Sequence, residues 1–521
     1  MTTSYDAIPY RSYPFPQSSV ERLAVTRRLF AAAPGEVDLG RCRVLEIGCA
    51  GGGNLLPIAD RYPGATLCGV DLSTVHIDTA EATRDALGLG DVELVAADVA
   101  AWEPGGTFDF IVCHGVFSWV PPEVQDAILK RVKDSLAPEG VAYISYNTYP
   151  GWHTREILRD IMNYRARGLD DPEEQLEKAR RTVSFLVNAM GPDENPYAAL
   201  LRREFEHIDR AESYYLIHEH LEEYNRPCYF SDFVSRAEGH GLSYLAEAAF
   251  GSSSLAEVPP PVRDTLLAVA KDRVEVEQYL DFIRNRGFRQ TLLVHADSGV
   301  REEPGLASLT RLHLASSAVV DGEAETGEGE TLFRRGGSTL RTRDPVIRHA
   351  FRLLREAWPR RVPFTELYSA SVATVRGRPV AVSVDGMNPD VERFCRPLLR
   401  CFETGMVDLH VGPAPFATEL SERPRVSRLA RLQSLEGATV TSGHHANATL
   451  DDIERRVLQM CDGETPAADF AGRLAGDVAA GSLVMFGADG RRLSDAVEID
   501  KALQPLVPKA IRKLLELGLF R

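Results

Sequence analysis

The chain has 521 residues, 44% of them apolar, so it suits about three domains with real cores and excludes a disordered polymer. It holds no uninterrupted apolar stretch of about 18 residues, and its start, Met1 to Tyr13, is polar and aromatic. That excludes insertion of a spanning helix in a membrane and does not read as a signal peptide.

The net charge of −16 is uneven: residues 341–521 hold 26 Lys and Arg against 23 Asp and Glu, leaving 33 against 52 before them. An acidic front part disfavours nucleic acid and suits a basic partner, or serves solubility alone. The eight cysteines (42, 49, 68, 113, 228, 395, 401 and 461) lack CxxC spacing. They fit a reducing cytoplasm and argue against a metal site.

Five apolar runs, Arg43–Ile47, Thr66–Val70, Val92–Ala96, Phe108–Cys113 and Val141–Tyr146, read as strands. Helical patterns near Asn54–Tyr62, Val75–Leu87 and Glu123–Ser135 alternate with them. This alternation predicts a parallel, doubly wound α/β sheet, in which ligands sit beyond the carboxyl ends of the strands.

The first run leads into Glu46-Ile47-Gly48-Cys49-Ala50-Gly51-Gly52-Gly53-Asn54. Glycines there let the backbone approach a ligand and turn into the helix. Gly48-x-Ala50-x-x-Gly53 alone would also pass as a dinucleotide fingerprint. Glu46, two residues before the first glycine, favours a cationic amino-acid moiety and would repel a pyrophosphate. Asp71 ends the second run, placed to accept ribose hydroxyls. Asp98 ends the third, placed to accept from an adenine amino group or to cap its own loop. The fourth exits through His114-Gly115-Val116-Phe117-Ser118-Trp119, and Leu136-Ala137-Pro138-Glu139-Gly140 turns into the fifth.

In order and spacing these elements resemble class I methyltransferases, which implies S-adenosyl-L-methionine as cofactor. The cofactor candidates are Glu46, Gly48, Gly51, Gly52, Asp71, Leu72, Asp98, Val99 and His114. Ala50 departs from the resemblance, standing where many methyltransferases have glycine.

Such a Rossmann-like sheet has seven strands, the last antiparallel. Residues 151–230 instead read as helices, Thr154–Ala166, Pro172–Ala189 and Tyr197–Tyr215. A helix stopped by Gly241, a strand at Leu242–Ala246, a helical run Val262–Arg284 and a strand at Phe288–His295 follow. The expected layout is an N-terminal lid segment (1–39), a cofactor core (40–150), a helical insertion forming the substrate domain (151–230) and completion of the sheet (231–298). A linker region (299–340) and a C-terminal α+β winged-helix-like part (341–521) end it.

Tyr5-Asp6-x-x-Pro9-Tyr10 with Tyr13-Pro14-Phe15-Pro16-Gln17-Ser18, Tyr146-Asn147-Thr148-Tyr149-Pro150-Gly151-Trp152, His218 to Asn225, and Glu277-Gln278-Tyr279-Leu280-Asp281-Phe282 resemble bacterial methyltransferases with a methyltransferase regulatory domain. That family includes the rickettsial-type protein-lysine methyltransferases. The resemblance implies a helical middle domain, a C-terminal winged helix and a lysine acceptor.

Methyl transfer needs alignment, exclusion of water and an unprotonated acceptor amine. An aromatic pocket beside a sulfonium disfavours the ammonium form. Tyr146, Asn147 and His218 are the catalytic candidates. Tyr13, Tyr149, Trp152, His220 and Tyr224 are the substrate-binding ones. Each aromatic residue also suits plain packing. Histidines 218 and 220 do not share one helical face, which disfavours a metal pair.

Residues 321–331 read as an acidic loop. Two similar units follow, Pro397–Leu409 and Leu506–Phe520, each preceded by an amphipathic helix, Asp344–Trp358 or Leu450–Cys461. They suit protein docking or a homodimer better than DNA. Gly437–Ala448 reads as a loop with a solvated histidine pair, His444 and His445. Three functions stay open: methylation of protein lysines, methylation of a small molecule or biosynthetic peptide, and cofactor binding without turnover.

Overall fold

Apolar runs buried on both faces form parallel strands between helices, and here they build one sheet in the order β3-β2-β1-β4-β5-β7-β6. The strands are β1 Arg43–Ile47, β2 Thr66–Asp71, β3 Val92–Ala96, β4 Phe108–Cys113, β5 Leu136–Asn147, β6 Leu242–Glu247 and β7 Phe288–His295. The structure, a computed structural model, describes residues 10, 12–32, 35–191, 195–210, 213–222, 224–256, 258–321, 329–378, 380–487 and 489–521. Residues 1–9 with the Tyr5-Asp6-x-x-Pro9 motif, Glu223 and most of the acidic loop 321–331 lie outside them.

β1 to β5 run parallel, and β7 is antiparallel to both β5 and β6. β5 begins earlier than the sequence suggests: Leu136 already pairs with Phe108 across a register shift, so the expected turn at 136–140 belongs to the strand. Alternation along β5 separates two cores. Tyr143 packs with Phe110 and Val112 on the face covered by helix Val20–Phe30. Ile144 and Tyr146 pack with Phe117 and Phe233 on the other.

The helical run Val262–Arg284 is two helices, Pro260–Val269 and Arg273–Arg284. Asp272 divides them, because its carboxylate caps the second helix by accepting from the Glu275 N–H. That helix carries a buried ion cluster. Arg289 of β7 reaches Asp281 at 2.8 Å, and Glu247 and Glu277 at 2.9 Å each. Glu277 and Asp281, one helical turn apart, thereby tie the helix to β6 and β7. The Glu277–Phe282 motif is structural.

Between β5 and β6 stand helices Gly151–Ala166, Pro172–Ala189 and Pro196–Arg210, closed by Ser213–Leu216 and a π-turn Ile217–Leu221. They share a small core of Leu158, Met162, Val183 and Leu201.

Residues 299–340 are not a linker. Strand His313–Ala315 pairs with Val362–Pro363 and with Asp408–His410 in a three-stranded sheet. Helices Pro345–Ala357, Phe364–Arg376 and Pro389–Glu403 complete that unit. Apolar residues such as Leu309, Leu312 and Leu314 join its core, which linker composition would not permit. A last unit follows, with Val426, Leu458, Phe470, Leu474, Leu503 and Leu514 in its core. It docks on helix Leu56–Arg61, which follows β1: Ser427 Oγ donates to Asp60 Oδ2 at 2.7 Å. Gly437–Ala448 is not a plain loop, since Thr439–Thr441 and Asn447–Thr449 pair as a hairpin. Its histidines are not solvated: both sites are shielded, and His445 is 1% exposed.

Among the described residues no helix is long and apolar enough to cross a membrane.

Candidate active site

The turn after β1 is held in a left-handed backbone at Gly48 (φ 75°), Ala50 (φ 44°) and Gly52 (φ 76°). A Cβ on Gly48 would stand 2.3 Å from Val116 Cγ2, so glycine is required for the approach of the β4 exit. Ala50 accepts its strained conformation because its N–H donates to Asp71 Oδ2 at 2.8 Å. Asp71 Oδ1 accepts from the Ser73 N–H at 2.9 Å. Among the described residues Oδ2 has a second lone pair free to accept from a further donor.

Glu46 is 3% exposed at the end of β1. Its Oε1 accepts from Asn54 Nδ2 at 2.8 Å, while Oε2 has no partner among the described residues. Burial pushes its carboxyl up to about 8. One oxygen of this buried carboxyl is thus left open to a further partner. Leu72, next to Asp71, is 61% exposed. Val99 is half-buried at the β3 exit. Asp98 is exposed and caps its own loop, accepting from the Ala100 N–H at 2.9 Å.

Residues outside the cofactor candidates also join this site. Asn54 Oδ1 accepts from the Phe15 N–H (2.9 Å), Ser18 Oγ (3.1 Å) and His445 Nε2 (2.8 Å). One amide thus ties the N-terminal segment and the last unit to Glu46. Phe15 lies on the His114 ring at 3.7 Å, and Ser12 Oγ accepts from the Gly53 N–H at 2.7 Å. The segment from Ser12 to Ser18 therefore lies across the glycine turn, with Tyr13 half-buried in it. His76 accepts from the Tyr10 N–H at 3.3 Å and meets Asp71 Oδ1 at 3.4 Å. Asn54 was legible as the residue after Gly53 and Phe15 as part of the aromatic, proline-rich segment expected to form a lid; His445 carries no local signal of this contact.

His114 hydrogen-bonds Tyr143 through Nδ1 at 2.8 Å, and burial pulls its pKa down to about 4. It is neutral at physiological pH.

Tyr146 is not catalytic. Its ring stacks on Phe233 at 4.0 Å and its hydroxyl meets Thr291 Oγ1 at 3.0 Å, on the face of β5 away from His114. Strand alternation puts Tyr143, not Tyr146, on the His114 side. Asn147 is buried where the insertion returns, its Nδ2 donating to Asn225 Oδ1 at 3.0 Å. Tyr224 is half-buried beside it. Tyr149 donates to Glu156 Oε1 at 2.7 Å and stacks on His153 at 4.0 Å.

Trp152 is wholly buried, edge-on to Trp119 of the β4 exit at 6.2 Å. It lines a cavity of about 190 Å³ with Arg155, Tyr215, Glu219 and His220. Trp152 Nε1 and His220 Nδ1 have no partner among the described residues. Burial pulls His220 down to about 4 and raises the Glu219 carboxyl. Tyr149 is not among the residues lining this cavity. His218 stands outside it, with Nδ1 2.9 Å from Glu222 Oε1 and its ring 5.8 Å from that of Tyr10.

The strand order, the glycine turn and the acids at the ends of β1 and β2 define a class I, S-adenosylmethionine-dependent methyltransferase. Three family models match: "Methyltransferase domain" over 44–140, "Predicted methyltransferase regulatory domain" over 212–295 and "PKMT, C-terminal winged helix domain" over 422–519. An uncharacterized protein of Rickettsia prowazekii is 30% identical over 98% of this chain and 92% of its own length. The chain belongs to the family of methyltransferases that carry this regulatory domain and winged helix. It is also similar to PKMT2 from Rickettsia typhi, solved alone and in complex with AdoHcy. That likeness has a TM-score of 0.86 and 25% identity, and covers 98% of this chain and all of the other. A trans-aconitate 2-methyltransferase of Streptomyces avermitilis is 33% identical, over only 22% of this chain.

Proposed function

We propose that this enzyme transfers the methyl group of S-adenosylmethionine to lysine side chains of a protein. The observation that carries the reading is likeness along the whole chain, winged helix included, to a protein-lysine methyltransferase. The trans-aconitate 2-methyltransferase match covers only 22% of this chain.

When bound, the cofactor supplies a methyl group on a cationic sulfonium. In this reading Glu46 holds its ammonium, Asp71 its ribose and Leu72 its adenine. Phe15 and His114 close the site against water. The cavity behind Trp119 takes the acceptor side chain. Trp152 and Tyr215 flank its methylenes, and His220 Nδ1 and Glu219 accept from its nitrogen. Burial there disfavours the ammonium form, and Arg155 offsets the lining carboxylates Glu204 and Glu219. Asn147, Asn225 and Tyr224 position the returning chain rather than act on the proton. His218, paired with Glu222, orients Tyr10 of the lid.

A cytoplasmic location belongs to the same reading, supported by eight free cysteines. So does a homodimer, supported by exposed Phe282 and Ile283.

The test is to incubate the purified enzyme with methyl-labelled cofactor and a lysate of its own organism, with Asp71→Ala as control. Label recovered in protein as methyl-lysine supports the reading. Label in small molecules alone refutes the lysine acceptor and leaves the methyltransferase standing.

A further inference from the structure

Helix Val20–Phe30, the unit around strand Asp408–His410 and the winged helix meet at a cavity of about 480 Å³. Arg22, Arg61, Arg335, Arg361 and Lys513 line it against three carboxylates, Glu21, Asp408 and Glu516. In a chain of net charge −16 this is a concentrated positive excess. Three of the cations are paired. Arg361 Nη2 meets Glu21 Oε2 at 2.8 Å, Arg335 pairs with Asp408, and Lys513 with Glu454.

Arg22 and Arg61 are different. Among the described residues neither forms an ion pair. Arg22 Nη1 donates to the Ala248 carbonyl at 3.3 Å and Arg61 Nη2 to the Ser442 carbonyl at 3.1 Å. Burial lowers the proton affinity of both guanidiniums, yet arginine stays charged in proteins. The carboxylates that act on them, Asp408 on Arg22 and Glu21 on Arg61, are already paired with Arg335 and Arg361, so a bound anion adds the counter-charge that these two lack. The excess of two positive charges matches a dianion. Planar guanidinium forks match phosphate oxygens, and the first turn of helix Val20–Phe30 borders the same space.

The loop of residues 442–446 touches both this cavity and the cofactor site. Ser442 receives Arg61, and His444 lines the cavity with its ring stacked on Trp358 at 5.4 Å. The next residue, His445 (φ 57°), reaches Asn54, which holds Glu46.

We propose that this cavity binds the phosphate group of a small molecule through Arg22 and Arg61, and that its occupancy strengthens cofactor binding through residues 442–446. The coupling rests on the methyltransferase reading; the phosphate site does not. Cofactor and phosphate then raise each other's affinity by the same factor.

The test is titration calorimetry of the full chain with inorganic phosphate and, separately, glycerol phosphate, at ionic strength held constant with chloride. Saturable one-to-one binding is expected, weakened about tenfold or more in Arg61→Gln and in Arg22→Gln. The tighter of the two probes tells whether free phosphate or a phosphate ester is the source. Phosphate is further expected to tighten S-adenosylhomocysteine binding in the native protein and not in His445→Ala. Circular dichroism establishes which variants are folded. No saturable heat from either probe, or unchanged affinity in both folded arginine variants, overturns the site. Phosphate binding that leaves S-adenosylhomocysteine affinity unchanged overturns the coupling. Phosphate binding without any S-adenosylhomocysteine binding overturns the methyltransferase reading and the coupling with it.

Discussion

Replacing Glu46 by glutamine removes a carboxyl that burial holds at about 8, against an ordinary 4.5. The folded state grips this proton more tightly than the unfolded chain does. The associated stability is therefore fully present below pH 4.5, falls as pH rises, and is gone above about 8. At about 1.4 kcal/mol per pH unit the whole loss is about 5 kcal/mol, of which about 3 kcal/mol has gone by about pH 7. Glutamine is isosteric with the protonated acid and keeps an oxygen for Asn54 Nδ2. Glu46→Gln is thus expected to stabilise the ligand-free enzyme by about 3 kcal/mol near pH 7 and scarcely at all near pH 4.5. Urea unfolding of both proteins across this range measures the gap. A variant no more stable than the native enzyme near neutral pH, or a gap that does not vary with pH, would refute the reasoning.

Tyr146→Phe loses only the hydroxyl bond to Thr291, so it is expected to cost about 1 kcal/mol in urea unfolding and to leave kcat unchanged. Arg289→Met strands Glu247, Glu277 and Asp281 without their shared cation; a loss of about 3–5 kcal/mol is expected by the same measurement. Trp152→Phe keeps most of the buried ring. It is expected to raise KM for the protein substrate several-fold while S-adenosylhomocysteine affinity, read by calorimetry, stays put.

The strands were legible because each carries its own evidence: β1, β3, β4 and β7 are short segments rich in apolar and β-branched residues whose ends follow composition. The cofactor loop was legible for the same reason, since Glu46, the glycines and Asp71 lie close to the strand ends that place them. Tyr146 was misread because one residue of strand parity decides between the His114 face and the Phe233 face, and parity is set by pairing partners far along the chain. The linker reading failed on Leu309, Leu312 and Leu314, whose burial depends on helices that follow much later. His445 looked like a loop histidine because its burial comes from docking against Asn54, 391 residues away. Nothing local announces such a contact.

The most direct test of the account is calorimetric titration of S-adenosylhomocysteine into the native enzyme, Glu46→Gln and Asp71→Ala. One site per chain in the native protein, weakened about tenfold or more in each folded variant, is the predicted result. Equal affinity in all three proteins would contradict a cofactor site built on these two acids.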